Sequence, residues 1–219
     1  MLAAGAVFAT ACKRHATPKQ RAGVASQAEG ARVSETLSPM LRDGDLIFQE
    51  STSGQSEMVR ALTKSHWTHM GVIFKDPAGP VVLEAVSPVR KTPLPSWIAH
   101  GRDQRYAVRR IRDADTRLSP ETIGKMRTLG AKWIGRPYDV RFRWDDQTLY
   151  CSELAYKLFD VAAGIRLGTL QKAADMNLDD PRVQEALKKR FASIRFDPDE
   201  TVVTPDSIFN DEQLLDVEP

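Results

Sequence analysis

The sequence predicts an α+β fold in which an antiparallel sheet packs against helices and a candidate nucleophile begins one of the helices. Apolar residues alternate over 68–74 and 81–86, and the turn-prone run Asp76–Pro80 between them predicts an antiparallel hairpin. Apolar residues recur at helical spacing after Cys151, which predicts a helix that starts at this cysteine. Hydrophobic residues make up 42% of the chain, which is typical of a soluble globular core.

Composition narrows the range of functions. With 219 residues the chain is long enough for one domain. Its formal net charge of +2 indicates neither a nucleic-acid partner nor a membrane surface. Two cysteines cannot build a disulfide framework, and no apolar run is long enough to span a bilayer as a helix. We expect no cofactor and no metal, and the sequence leaves the oligomeric state open.

The N-terminal segment 1–12 has the character of a bacterial lipoprotein signal. Met1–Ala11 is apolar and rich in small residues, and basic residues follow Cys12. Ala9–Cys12 resembles a lipobox, in which the cysteine receives lipid and becomes the first residue of the mature protein. This interpretation predicts lipidation of Cys12, a membrane tether and a location in the cell envelope. The alternative is an unlipidated tail on a cytoplasmic enzyme. Residues 13–36 lack an apolar period and are interpreted as a linker.

The folded domain is predicted over residues 37–200. Its first part contains a strand at 46–49, a helix capped by Ser53 or Ser56, and the hairpin. Its second part contains a short helix at 95–100, a strand at 104–112, a helix from Ser119 to about 134, a helix from Cys151 to about Gly164 and a late helix at 181–192. Residues 201–219 are acidic and poor in apolar period, so we expect them to be loosely ordered.

Cys151 is the candidate nucleophile. It is predicted in the first turn of its helix, where free N–H groups and the positive end of the helix dipole favour a thiolate. Glu153 in the same turn is interpreted as a residue that complements the dipole. The alternative is a buried cysteine that packs as a small apolar residue, and the cysteine taken alone favours this alternative.

A nucleophilic cysteine needs a base within hydrogen-bond reach and a partner that orients the base. A hairpin centred on residues 77–79 places position 69 opposite the mid-eighties, so His69 and Glu84 are expected to be close across the strand pair. Whether both face the same side depends on the strand register, which the sequence leaves open. The alternative is a strand histidine paired with a surface carboxylate.

An ordered set of short motifs resembles a known family. The motifs are, in chain order, Gly44–Phe48, Ser53–Ser56, Thr68–Ile73, Glu84–Val86, Tyr138–Asp139 and Tyr150–Leu154. Over about residues 40–168 they resemble the YaeF/YiiX group of circularly permuted, NlpC-like, papain-like cysteine hydrolases. The histidine precedes the cysteine, which is the permuted order. The resemblance implies a permuted papain-like fold with Cys151 as nucleophile, His69 as base and Glu84 as the third polar residue.

Four further residues are candidates for substrate binding. Tyr150 is interpreted either as a side-chain donor at the cleft entrance or as a packing aromatic residue. Gln55 and Ser56 border the cleft in one interpretation, whereas Ser56 only caps its helix in the other. Tyr138 is expected to anchor a turn beside the cleft.

These residues predict a cysteine hydrolase that acts through a covalent acyl-enzyme. The thiolate attacks an amide, ester or thioester carbonyl, and the backbone N–H of Cys151 donates to the developing oxyanion. The expected partner is a small-molecule, peptide or lipid-like substrate with an acyl bond, such as a cell-wall peptide or an acylated compound.

Three alternatives stay open. The resemblance includes phospholipid-acting relatives, which suggests a lipid-acting acyltransferase or phospholipase-type enzyme. A non-catalytic lipoprotein would only bind a ligand in the same cleft. A zinc hydrolase would use His66, His69, Glu84 and Cys151, which are ordinary zinc ligands. However, His66 and His69 are three apart in a turn-to-strand segment, where side chains alternate.

Overall fold

The structure, a computed structural model, describes residues 18–190 and 197–218. Its helices are α1 (Pro18–Leu37), α2 (Gly54–Thr63), α3 (Leu94–Ala99), α4 (Ala114–Arg117), α5 (Pro120–Trp133), α6 (Cys151–Ala163), α7 (Pro181–Arg190) and α8 (Pro205–Phe209). Its strands are β1 (Leu46–Ser51), β2 (His69–Asp76), β3 (Gly79–Glu84), β4 (Arg90–Pro93), β5 (Gly101–Ile111), β6 (Gln171–Lys172), β7 (Thr201–Val202) and β8 (Leu214–Asp216).

The main sheet has the strand order β4-β3-β2-β1-β5-β8, and every neighbouring pair is antiparallel. Alternate residues of a strand point to opposite faces, so the sheet separates two apolar cores. On one face Val72 lies in the same core as Leu158 of α6. On the other face Ile73 lies in the same core as Leu37 of α1 and Trp97 of α3. The predicted α+β fold, with an antiparallel sheet packed against helices, is confirmed.

Helix α6 carries the candidate nucleophile as its first residue. It begins at Cys151, as the sequence predicts, and Leu154 and Leu158 are fully buried against the sheet. The Glu153 carboxylate accepts a hydrogen bond from the backbone N–H of Tyr150 at 3.2 Å, which satisfies one donor at the helix start. Gly164 follows the helix with a φ of 66°, a left-handed conformation that glycine adopts at low cost.

The predicted linker at 13–36 is wrong for the part that the structure describes, because α1 begins at Pro18. Small residues of α1 approach α3 closely: a side chain at Gly30 would lie 2.4 Å from the backbone oxygen of Pro95. The Ser26 hydroxyl donates to the backbone oxygen of Ala99 at 2.9 Å. The contact between these helices therefore depends on small residues, which leave no apolar period in the sequence. Residues 1–12, with the predicted lipidation site Cys12, lie outside the described residues, as do 13–17.

The prediction of a loosely ordered tail at 201–219 is also wrong. Strand β8 pairs with β5 at the edge of the main sheet, and β7 pairs with β6. Val203, Ile208 and Leu214 are buried. The elements that contain or adjoin them are two to five residues long, so no periodicity reveals them in the sequence. The folded domain therefore extends beyond residue 200, its predicted end.

The buried C-terminal segment gives a stability prediction. We expect Ile208→Ala to lower the free energy of unfolding by about 2–5 kcal/mol, because it leaves a cavity beneath a fully buried position. Leu215→Ala is the matched control, since Leu215 is 43% exposed and its truncation should cost about 0.5 kcal/mol or less. Urea unfolding measures both values. Equal and small losses would show that the segment is not packed in solution.

Other boundaries differ by a few residues. The third long strand begins at Gly101 rather than Gln104, and β4 was not predicted. The late helix α7 begins at Pro181 as predicted, and residues 191–192 of that prediction lie outside the described range. Within 18–190 and 197–218, none of the helices combines the length and apolar character needed to cross a bilayer.

Candidate active site

His69 and Glu84 meet on one face of the β2–β3 hairpin. The register pairs Val72 with Leu83, so Glu84 lies opposite Gly71, and His69 is its diagonal neighbour on the same face. A side chain at Gly71 would lie 2.4 Å from Val82 and 3.4 Å from the Cβ of Glu84. Glycine at this position therefore leaves room for the diagonal contact, in which His69 Nε2 and Glu84 Oε2 are 2.6 Å apart.

The first residue of α6 lies against the free side of the His69 ring. The Cys151 side chain interacts with the His69 ring, and because Nε2 lies 2.6 Å from Glu84 Oε2, Nδ1 is the ring nitrogen left for the sulfur. Burial alone lowers the pKa of His69, but the hydrogen bonds to Cys151 and Glu84 and their negative charges raise it to about 10. This environment favours the protonated imidazolium form of His69 at neutral pH.

The Glu84 carboxylate is buried and held at both oxygens. Thr92 Oγ1 donates to Oε1 at 2.5 Å, and Trp97 Nε1 donates to Oε2 at 3.0 Å. Arg90 Nε lies 3.6 Å from Oε1. Burial alone raises the pKa of Glu84, but the hydrogen bond and charge of His69, together with Thr92 and Arg90, hold it below its usual value. These contacts favour the anionic form of Glu84 beside the His69 ring.

A cavity of about 550 Å³ opens beside Cys151, and most of its wall is apolar. Its apolar lining residues come from α2, from the loop before α6 and from the C-terminal third of the chain: Met58, Val59, Leu62, Phe142, Ala173, Met176, Leu178, Leu187, Val202 and Val203. Charged side chains line it as well: Arg141, Arg143, Asp197 and Glu200. The cavity can therefore receive an apolar group next to the sulfur.

Comparison with known proteins shows to which family the chain belongs. Residues 40–218 match the model of a family described as permuted papain-like amidase enzymes, YaeF/YiiX, C92 family. The chain belongs to this YaeF/YiiX family. It is 40% identical to the uncharacterized protein YiiX of Escherichia coli K12 over 174 residues, and this aligned region covers 80% of this chain and 84% of YiiX. It is also similar to the crystal structure of metalloprotein yiiX from Escherichia coli O157:H7, with a TM-score of 0.76 and 39% identity over 82% of this chain and 97% of that one.

Membership of the YaeF/YiiX family confirms the predicted permuted papain-like fold and the predicted cysteine hydrolase of the amidase class. The order of the chain agrees with the permutation, because the strand with His69 precedes the helix with Cys151. Besides the candidate triad, the structure brings together residues that no local pattern predicts. The cavity wall in particular is assembled from segments up to about 150 residues apart in the sequence.

Two of the four predicted substrate-binding residues line the cavity in this family member. Tyr150 is buried there, and its hydroxyl oxygen accepts a hydrogen bond from the backbone N–H of Val203 at 3.1 Å. Burial raises the pKa of Tyr150 well above its usual value, so it remains a neutral phenol. Tyr138 lines the cavity and forms an isolated bridge with Leu149, beside the start of α6.

The other two residues are not part of the described wall. The Ser56 hydroxyl is buried and lies 2.9 Å from the Ser53 hydroxyl, and Ser56 is not among the cavity-lining residues. The first turn of α2 directs this side chain toward Ser53 at the helix start, and a place for Ser56 at the cleft stays a prediction. Gln55 lies in the same turn, and its side chain is outside the described part of the structure.

The C-terminal segment is hydrogen-bonded to the start of α6 and forms part of the cavity wall. The Ser152 hydroxyl donates to the backbone oxygen of Val203 at 2.8 Å, and Tyr150 accepts from the N–H of the same residue. Val203 is thereby fixed next to the candidate nucleophile. The segment that the sequence predicts as loose is thus part of the site.

The zinc-site alternative does not fit the arrangement. His66 is 82% exposed and lies 3.8 Å from Glu50, so it does not join the other three proposed ligands. Both oxygens of Glu84 already accept hydrogen bonds. Among the described residues, no group of three or more His, Cys, Asp or Glu side chains is arranged to hold a metal.

The pairing of Cys151 with His69 gives a prediction about alkylation. We expect iodoacetamide to label Cys151 faster in the wild type than in His69→Ala at neutral pH, because the protonated His69 ring beside the sulfur stabilises the reactive thiolate. The raised pKa of about 10 keeps that ring protonated across the neutral range. His69→Ala removes this charge and should therefore slow the alkylation. Equal alkylation rates in the wild type and in His69→Ala would contradict the pairing of Cys151 with His69.

Proposed function

We propose that the protein is a cysteine amidase that cleaves the amide bond of substrates with an apolar acyl group, with Cys151, His69 and Glu84 as its catalytic triad. The observation that supports an apolar acyl group in the substrate is the mainly apolar cavity that opens at Cys151. The protein's membership of an amidase family supports the bond type.

In the proposed reaction the Cys151 thiolate attacks the amide carbonyl carbon, and the negative charge moves to the carbonyl oxygen. Helix first-turn N–H groups have no intrahelical acceptor, so that of Cys151 is available to donate to this oxyanion. Protonated His69 then gives its proton to the leaving nitrogen, and the amine departs from a thioester on Cys151. A water molecule, deprotonated by His69, attacks the thioester and releases the carboxylic acid and the thiolate.

The cavity predicts a dependence on acyl chain length. In a series of acyl amides with one leaving amine, kcat/KM should rise by about fourfold per added methylene until the cavity is filled, since each buried CH₂ contributes about 0.8 kcal/mol. Leu62→Gln should lower kcat/KM more for long chains than for short ones, because Leu62 lines the cavity. Val161→Gln is the control, since Val161 is exposed on α6 and does not line the cavity. No dependence on chain length would reject the proposed acyl site.

The same assay separates the remaining alternatives. Lysophospholipids, muropeptides and acyl amides are compared as substrates for the wild type and Cys151→Ala. Preferred cleavage of lysophospholipid esters would favour the phospholipase-type enzyme, and acyl transfer to a nucleophile other than water would favour the acyltransferase. Cleavage of muropeptides alone would place the substrate in the cell wall. Ligand binding without Cys151-dependent turnover of any substrate would favour the non-catalytic lipoprotein.

We also propose that Cys12 tethers the domain to a membrane in the cell envelope. The apolar, small-residue-rich stretch Met1–Ala11 and the lipobox-like residues Ala9–Cys12 support this proposal. The test is detergent-phase partitioning of the exported protein and of Cys12→Ser. Unchanged partitioning and unchanged mature mass in the variant would reject the tether.

A further inference from the structure

The indole of Trp97 contacts two members of the candidate triad at once. Its Nε1 donates to Glu84 Oε2 at 3.0 Å, the same oxygen that lies 2.6 Å from His69 Nε2. Its ring stacks on the His69 ring, with centroids 5.9 Å apart and an angle of 25° between the planes. Trp97 is 1% exposed, so the stack shields that face of the imidazole from water.

These contacts restrict the motion of both partners. The carboxylate of Glu84 cannot rotate without breaking the bond from Trp97 to one oxygen or the bond from Thr92 to the other. The imidazole cannot tilt toward α3 because the indole covers that face. An aromatic face within about 6 Å also attracts a cation, which favours the protonated form of the ring.

The packing of helix α3 fixes the position of Trp97. Helix α3 lies between β4 and β5, and its residues Leu94 and Ile98 are buried. Helix α1 packs on the outside of α3, where Gly30 permits close approach to Pro95. The helix that carries the indole is therefore packed between the sheet and α1, which lies before the part of the chain that matches the family model.

We propose that Trp97 is a positioning residue that holds the Glu84 carboxylate and the His69 ring in the orientation that presents Nδ1 to Cys151. Trp97 does not contact the sulfur or a substrate in this role, and it acts through Glu84 and His69. The inference rests on the proposed function, because it assumes that the His69–Cys151 pair carries out the chemistry.

The kinetic test uses Trp97→Phe, which keeps an aromatic ring and removes the N–H donor. Loss of a hydrogen bond to a carboxylate is expected to lower kcat by about 10–100-fold with little change in KM. The acid limb of the kcat profile should also move to higher pH, because the anionic form of Glu84 loses a donor. The charged groups that face Glu84 are His69 from β2 and Arg90 from β4, and neither is altered.

Trp133→Phe is the matched control, since Trp133 is buried in the core on the opposite face of the sheet. It should lower the melting temperature without moving the pH profile. Thr92→Val is the second variant and removes the donor to Oε1, so it should move the acid limb in the same direction as Trp97→Phe. The inference is overturned if Trp97→Phe lowers stability as Trp133→Phe does and leaves kcat and the acid limb at their wild-type values.

A spectroscopic readout separates this inference from the proposed function. The chain has four tryptophans, and the indole N–H resonance that disappears in Trp97→Phe identifies Trp97 in the nuclear magnetic resonance spectrum of the ¹⁵N-labelled protein. That resonance should shift when Glu84 is replaced by Gln and when Cys151 is alkylated. If it does not shift in either case, Trp97 is not coupled to the triad. If it shifts but no acyl amide is hydrolysed, the positioning contact stands and the proposed function fails.

Discussion

Replacement of Cys151 by Ala is expected to abolish amide hydrolysis, with a fall in kcat of at least about 10⁴-fold. The variant keeps α6 and the cavity but has no group that can form the thioester. The residual rate would come only from substrate binding and from backbone donors at the helix start. The measurement is single-turnover hydrolysis of the best acyl amide from the chain-length series.

Cys151→Ser is the control for a purely structural role, because it nearly preserves the volume of the side chain. A serine hydroxyl is not converted to an anion by pairing with His69 at neutral pH, so this variant should also be nearly inactive. Thermal unfolding should show both variants folded. If Cys151→Ala hydrolyses the substrate at a rate close to that of the wild type, Cys151 is only a packed core residue.

Glu84→Gln is expected to lower kcat by about 10⁴-fold, as the equivalent acid-to-amide change does in serine triads. The groups bonded to Glu84 are donors: Thr92, Trp97 and His69. An amide NH₂ in place of Oε2 can bond to His69 only if Nε2 becomes an acceptor. The proton of the neutral ring then lies on Nδ1, and the ring can no longer accept a proton from Cys151.

Glu50→Gln is the matched control for the loss of a buried carboxylate. Glu50 is buried and pairs with Arg60 and Arg102 rather than with the triad. We expect this variant to lose stability, because two cations lose their partner, while the rate of Cys151 alkylation at neutral pH stays unchanged. Equal loss of activity in Glu50→Gln and Glu84→Gln would show that Glu84 has no specific catalytic role.

The parts of the fold with strong local patterns were predictable from the sequence. Helix α6 has an apolar stripe and ends at Gly164, and the β2–β3 hairpin has alternating strands around a turn. The proximity of His69 and Glu84 followed from the hairpin. Their diagonal arrangement could not be predicted, because it depends on the strand register and on the space that Gly71 leaves between the two side chains.

The parts that depend on contacts between distant segments were not predictable. Helix α1 contacts α3 through small residues such as Gly30. Without knowledge of the contact with α3, a sequence rich in such residues is interpreted as a linker. The C-terminal segment is ordered by the bonds of Val203 to α6 and by the pairing of β8 with β5. The candidate triad residues were predicted from motifs in chain order. The apolar cavity, from which we infer the substrate class, was not predicted, because its wall combines short stretches that share no sequence pattern.

The most direct test of the central claim is to trap the acyl-enzyme. The protein is mixed with an activated ester of a long-chain acid and quenched in acid within the first turnover, and its intact mass and peptide masses are measured. The expected result, if Cys151 is the nucleophile, is a mass increase equal to one acyl group on the peptide that contains Cys151, and no such increase in Cys151→Ala. Turnover of the substrate without an adduct on Cys151, or with the same adduct in Cys151→Ala, would contradict it.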